Sequence, residues 1–333
     1  MRKYKVISFG LGPIGLSIAK LALSRSDLEL VGAVDSNPNL VGKDLAKLLD
    51  LEAPTGIKVD STGKSLYKGA DAVLHATSSF LSVAKGQILD FCDAGIDVVS
   101  TNEELSYPWI AHKDVALELD AAAKRNGVTL LGTGVNPGFV LDALAVTLSG
   151  VCANISQVRT TRILDATKRR LPFQKKVGIG MTPEEFQKNV NTGKFGHIGL
   201  PESIGMTCAA LGVAVDRIDQ NITPKIAISE VETEHFGRIE SGRVLGLVQD
   251  AEAYAGRTHV ATYHIEMYAN AEDPYDEIEL LGNPNIKLRI PGGTPGDIAT
   301  AAIIVNSVSR VAEASPGLMT VKDLRPATSI MRV

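Results

Sequence analysis

The first 136 residues alternate short apolar runs with stretches in which apolar positions recur every three to four residues. The runs at 4–9, 28–34, 71–76, 96–100 and 128–131 read as strands, and the helical spacing at 14–25, about 41–49, 80–94 and 111–126 reads as helices. This alternation predicts an α/β, doubly wound parallel sheet with helices on both faces. Every predicted strand ends in a polar or glycine-rich turn: 10–15, 35–37, 77–79, 101–104 and 132–138. Ligands of open α/β sheets bind beyond the carboxyl ends of the strands. The five turns are therefore expected to build one site.

The pattern changes after Pro137-Gly138. Long strand-like runs follow at 155–165, 222–234, 243–254, 257–270 and 276–281, with helices expected at 182–191 and 201–215. Ala255-Gly256 separates two of the runs and predicts a hairpin. In the run 257–270, Ala261, Tyr263, Ile265 and Met267 mark a core face, while Thr262, His264, Glu266 and Tyr268 mark a polar one. The expectation is an α+β domain with a mixed or antiparallel sheet and helices on one side. A break at 292–297 then precedes a helix at 298–314, with Asp297 as its candidate N-cap. That helix and the tail 316–333 are expected to return to the first domain. The division read from sequence is thus 1–136, completed by 298–333, for a dinucleotide, and 137–297 for substrate binding and dimerisation.

The turn after the first strand, Gly10-Leu11-Gly12-Pro13-Ile14-Gly15, follows the G-x-G-x-x-G pattern. It lies between a strand and a helix, and a second apolar run ends at Asp35, twenty residues past Gly15. That context fits a dinucleotide-binding βαβ unit, with the pyrophosphate over the helix N-terminus. Asp35 is placed to accept hydrogen bonds from the adenosine ribose and to repel a 2′-phosphate; as an alternative it merely caps the turn. Ser36 and Asn37 follow, where an NADP enzyme often carries Arg. NAD is the expected cofactor, and Lys43 leaves NADP open. Thr77, Ser78, Thr101, Asn102 and Asn136, on the later turns, complete the expected cofactor contacts.

Composition narrows the partners. The 333 residues are 44% hydrophobic and 22% charged with a net charge of −4, and no long basic block or membrane-length apolar stretch occurs. Nucleic acid and membrane are not expected partners. The first strand starts almost at once, which leaves no room for a signal peptide. Cys92, Cys152 and Cys208 are scattered, as in a reduced, cytoplasmic protein. Six dispersed histidines argue against a metal site.

A hydride-transfer enzyme needs a group that manages protons beside the nicotinamide. Glu103 and Glu104 follow the fourth strand, and Glu104 precedes the apolar Leu105–Trp109 stretch. Either Glu104 is a general base or the pair simply favours a helix dipole. For an anionic substrate, Arg159 and Arg162 on the first strand of the second domain offer planar forks, although an isolated Arg is usually a solvated surface charge. His197, His264 and Thr300 are further pocket candidates.

Four segments together carry a resemblance: 6–15, Ser100-Thr101-Asn102-Glu103-Glu104-Leu105, Gly132-Thr133-Gly134-Val135-Asn136-Pro137-Gly138-Phe139, and 291–301. The chain resembles the dihydrodipicolinate-reductase-like superfamily and, within it, the 2,4-diaminopentanoate dehydrogenases and native amine dehydrogenases. The resemblance spans nearly the whole chain. It implies NAD(P)-dependent oxidative deamination of a small diamino acid or amine, with reductive amination as the reverse. Glu104 matches the catalytic glutamate, and Phe139 joins the substrate-side candidates. A homodimer through the second-domain sheet is expected. The paired histidines and following lysine of dihydrodipicolinate reductases are missing at 155–200, which makes imine reduction the alternative.

Overall fold

The computed structural model describes residues 3–193 and 195–331. They divide into two compact units, one from 1–139 with 295–333 and one from 140–294.

The first unit is built on a seven-stranded sheet: β1 (Tyr4–Phe9), β2 (Leu28–Val34), β3 (Val59–Asp60), β4 (Ala72–His75), β5 (Asp97–Ser100), β6 (Thr129–Gly132) and, from the chain's end, β15 (Gly317–Met319). All are parallel, in the order β15-β6-β5-β4-β1-β2-β3. The order reverses between β1 and β4, the place where such sheets open a binding crevice. Period-two alternation divides each strand between two cores. Val6, Leu74, Val99 and Leu131 pack with α1 (Pro13–Leu23) and the late helix α9 (Gly296–Ala312). Ile7, Val73, Val98 and Leu130 pack with α3 (Leu81–Asp93) and α4 (Lys113–Asn126). The expected doubly wound architecture is present.

The predicted helix at 41–49 shrinks to α2 (Leu45–Leu48). Asp44 caps it through Ala46 N–H and also accepts from the backbone N–H groups of Thr55 and Gly56. That carboxylate ties the helix start to the following loop, so the chain before it turns instead of coiling. Asp297 is not the cap of α9: Pro295 is, and Asp297 lies in the first turn, where a carboxylate still suits the dipole.

The second unit holds a six-stranded mixed sheet of β7 (Asn154–Asp165), β8 (Arg217–Ile226), β11 (Val244–Ala255), β12 (Thr258–Tyr268), β13 (Tyr275–Asn283) and β14 (Ile286–Pro291), ordered β14-β13-β7-β12-β11-β8. Only β7–β12 is parallel. β11 and β12 form the predicted hairpin. Val158, Tyr263, Leu247 and Ile278 lie on the buried face, where Tyr263 reaches α8 (Leu200–Ala210) by a 2.8 Å hydrogen bond to Thr207. Asp142, the cap of α5 (Ala143–Ser149), bonds Ser203 of α8 at 2.8 Å. The unit also contains α6 (Leu171–Lys176) and α7 (Pro183–Val190).

The predicted strand 222–234 is two elements. It breaks at Ala227, whose backbone pairs with Arg243 and Gly242, and β9 (Val231–Thr233) then pairs with β10 (Gly237–Ile239) as a separate ribbon. The apolar run Ile226-Ala227-Ile228 masks that break in the sequence. The helix predicted to reach 215 stops at Ala210, where Gly212 takes a left-handed φ of 75°.

Candidate active site

The five carboxyl-end turns of the first unit meet one another. Gly10 adopts φ +90° and donates to Val34 O at 2.8 Å, and a Cβ there would lie 2.4 Å from Ala76 O. A Cβ on Gly15 would lie 1.7 Å from Gly10 O, so only glycine lets α1 start so close to β1. Gly12, by contrast, has open space around it and forms an N-cap without a side-chain hydrogen bond. Pro13, which has no N–H, takes the first helical position, and the first-turn N–H groups that follow it, from Ile14 on, are the ones a helix start offers to an anion. Asp35 Oδ2 accepts Leu11 N–H and its Oδ1 accepts Asn37 N–H. Ser36 and Asn37 are exposed beside it, as is Lys43.

A buried network runs beneath the next turns. His75, at the end of β4, contacts Ser100 Oγ through Nδ1 at 2.7 Å, and Gln87 Oε1 and Thr77 Oγ1 through Nε2 at 2.9 and 2.8 Å. Burial pushes its imidazole down to about pKa 4, so it is neutral. Ser100 Oγ accepts the N–H of Asn102. Asn102 donates to Ser78 O at 2.7 Å and accepts Leu105 N–H at 2.8 Å. Thr101 N–H pairs with His75 O. The turn carrying Glu104 is thereby fixed to the turn carrying Thr77 and Ser78.

Glu104 opens a short 3-10 turn, and its side chain is 14% exposed. Its Oε2 accepts the N–H of Leu81, the first residue of α3, at 2.6 Å, and lies 3.2 Å from Nε2 of His112. Phe80 provides no side-chain cap for α3, so Glu104 supplies the acceptor across 23 residues. Neither contact uses Oε1. The last turn, 132–138, is bound through Thr133 N–H to Ser100 O. Asn136 is buried there, Phe139 is half-buried, and Thr300 of α9 accepts Val135 N–H at 3.4 Å.

In the second unit the basic candidates separate. Neighbours on β7 point to opposite faces. Arg162 is 4% exposed on the buried face, 3.1 Å from Asp276, and donates to Thr294 O at 2.7 Å. His197, on a loop bonded to Gln249, has its imidazole driven down and held neutral by burial, with Lys176 and Arg162 adding to the effect. Arg159 and His264 stand on the other face. Arg159 is exposed and contacts Gln157, and His264 sits between Asp250 at 2.6 Å and Glu266 at 3.1 Å. One pocket of a single chain therefore cannot take all four side chains, because the sheet lies between the pairs.

Sequence reasoning missed Leu81, His112, His75 and Gln87. The first acts only through its backbone, and the other three are brought in by strand order and helix packing, which leave no local spacing signal.

A parallel Rossmann sheet joined to a mixed-sheet unit, with a carboxylate among the turns of the first, is the arrangement of two-unit dehydrogenases. The family model of the 2,4-diaminopentanoate dehydrogenase C-terminal domain matches residues 139–333, and the chain belongs to that family. It is 32% identical to the 2,4-diaminopentanoate dehydrogenase of Acetoanaerobium sticklandii, covering 99% of this chain and 96% of that one. It is 25% identical to an amine dehydrogenase of Streptomyces virginiae, with 96% of each covered. Among solved structures, an amine dehydrogenase from Mycobacterium smegmatis superposes with a TM-score of 0.84 at 26% identity, covering 98% and 97%. The protein is an oxidoreductase of this amine dehydrogenase group. Among the described residues no helix is long and apolar enough to cross a membrane.

Proposed function

We propose that this protein catalyses NAD(P)-dependent oxidative deamination of 2,4-diaminopentanoate to 2-amino-4-oxopentanoate and ammonia, and the reverse amination of small ketones. The observation that carries the reading is Glu104, held on the sheet's carboxyl edge by Leu81 with its Oε1 outside both contacts.

The residues fit a nicotinamide dinucleotide. The close Gly10–Gly15 approach and the open space at Gly12 suit a pyrophosphate over α1. Asp35, Ser36 and Asn37 suit an adenosine ribose, which favours NAD over NADP. Thr77, Ser78, Thr101, Asn102 and Asn136 line the later turns, where the nicotinamide belongs. Bound there, the nicotinamide supplies a hydride acceptor.

The chain's own residues manage the protons. Hydride leaves carbon only when the amine is neutral, and a free aliphatic amine titrates near ~10. Glu104 takes that proton and, once emptied, takes another from the water that attacks the iminium carbon; it returns this one to the nitrogen, and the C–N bond breaks to give ammonia as the hydroxyl becomes the ketone. A base so placed contributes about 10²–10⁴ in rate. Arg162, His197, Phe139 and Thr300 are assigned to the substrate side. Arg159 and His264 stand on the sheet's other, polar face, which we assign to a homodimer contact.

The test is an assay of the purified protein with NAD and 2,4-diaminopentanoate, read as NADH and ammonia formed one to one. Reduction of dihydrodipicolinate without any reaction of the diamine would replace this reading with the imine-reductase one.

A further inference from the structure

We infer that His112 is the proton outlet of Glu104, relaying to solvent the proton that the carboxylate removes from the substrate amine. The inference rests on the reading of Glu104 as the base. Three observations carry it. His112 Nε2 lies 3.2 Å from Glu104 Oε2. Glu104 is 14% exposed while the imidazole is 32% exposed, so the ring bridges a shielded carboxylate and water. Finally, the backbone that carries the ring is fixed: His112 is the N-cap residue of α4, and its backbone N–H donates to Pro108 O at 2.7 Å, in a loop whose Trp109 packs on the core beneath.

A base that ends each turnover protonated must be emptied before the next. Oε2 already accepts Leu81 N–H, so the substrate proton arrives on Oε1. Rotation of the carboxyl group about Cγ–Cδ exchanges the oxygens and presents the O–H to His112. As its Nδ1–H tautomer the imidazole takes this proton at Nε2 and releases its Nδ1 proton to water, and proton exchange of the exposed ring with solvent restores that tautomer before the next turnover. One proton passes from substrate nitrogen to solvent, and Glu104 returns as carboxylate with no change in electron count. In reductive amination the same path runs inward.

His112 touches neither substrate nor cofactor in this scheme, so it is a positioning and relay residue. A purely structural role predicts that His112→Gln, which keeps a hydrogen-bonding side chain, works normally. The relay predicts otherwise. We expect His112→Gln and His112→Ala each to lower kcat for 2,4-diaminopentanoate oxidation about tenfold, a fraction of what the base itself supplies, with KM little changed. Free imidazole added to His112→Ala should restore kcat in a saturable manner. It should do nothing for Glu104→Gln. In the resting protein, the ring nitrogen resonances of His112 should move on Glu104→Gln. Full activity in both His112 variants, or no response of His112→Ala to imidazole or small amine buffers, overturns the relay. The Glu104 assignment survives either result as long as Glu104→Gln is inactive. Full activity of Glu104→Gln removes both.

Discussion

Asp35 accepts the backbone N–H of Leu11 at 2.7 Å, so the carboxylate that ends β2 also braces the glycine-rich turn after β1. Its other oxygen holds Asn37 N–H at 2.8 Å. One side chain therefore shapes the turn and, under the proposed function, selects against a 2′-phosphate. Replacing it by Ser removes both the charge and the bracing. We expect KM for NAD to rise about tenfold or more, in line with the ~1.5–3 kcal/mol of a hydrogen bond to a charged group, while KM for NADP changes little. Side-by-side kinetics with the two cofactors check this, and an unchanged ratio contradicts the role given to Asp35.

Two glycines of the same turn give opposite predictions. Gly15→Ala forces a Cβ to within 1.7 Å of a backbone oxygen. A backbone atom cannot yield as a side-chain tip can, so the variant should lose several degrees of melting temperature, as for a core overpacked by ~1–3 kcal/mol. Gly12→Ala meets nothing within 4 Å. It should melt as the wild type does and lose cofactor affinity alone, because the new methyl occupies space meant for phosphate. Calorimetry paired with NADH titration separates the two effects.

The parallel sheet was legible because β1, β2, β4, β5 and β6 are mostly buried and read as short, mainly apolar runs between helical patterns. The hairpin β11–β12 was legible from the Ala255-Gly256 break and from the alternation of Ala261, Tyr263, Ile265 and Met267 with polar neighbours in the second run. The strand β14 and helices α5 and α6 were not, because they are short and depend on packing. Pairing with β13 makes Ile286–Pro291 a strand, and Asp142 starts α5. In the site, backbone turns and Glu104 showed in the sequence as motifs. The divided fate of Arg159 and Arg162 did not. Three residues apart on a strand puts them on opposite faces, which follows from period two once register is known, but both look alike as charges.

Glu104→Gln keeps an acceptor oxygen for Leu81 N–H while losing the basic one. The fold and the cofactor dissociation constant should stay near wild type. The rate of deamination should fall about 10²–10⁴-fold, the usual worth of a positioned base. Stopped-flow NADH formation against fluorescence titration of NADH distinguishes a catalytic loss from a binding loss.

Arg162 and Asp276 are both nearly sealed from solvent, at 4% and 3% side-chain exposure, and both grip Thr294, one at its carbonyl and one at its N–H. Removing the carboxylate strands a buried guanidinium. Asp276→Ala should therefore destabilise the second unit by about 3–5 kcal/mol, more than the double variant Arg162→Met/Asp276→Ala, which leaves no unpaired charge on either side. Denaturation of the two variants gives the comparison, and the order is the informative result.

His75 sets a pH dependence of stability. Its ring is fully buried among Ser100, Thr77 and Gln87, and burial lowers it to about 4 from the 6.5 of an exposed imidazole. The unfolded chain thus binds a proton at higher pH than the folded one. The contribution of His75 is complete above pH 6.5 and is lost as pH falls from 6.5 toward 4. Each pH unit in that window costs about 1.4 kcal/mol, for a total of ~3 kcal/mol. His197, also depressed by burial, adds a slope of the same sign. The test is accordingly a difference: the stability of His75→Gln should fall less steeply than that of the wild type between pH 6.5 and 4.5, measured by urea unfolding at half-unit steps. The Gln side chain keeps hydrogen-bonding capacity for Ser100 and Thr77 while carrying no titratable group, so parallel slopes in the two proteins would mean that His75 is not held neutral in the fold.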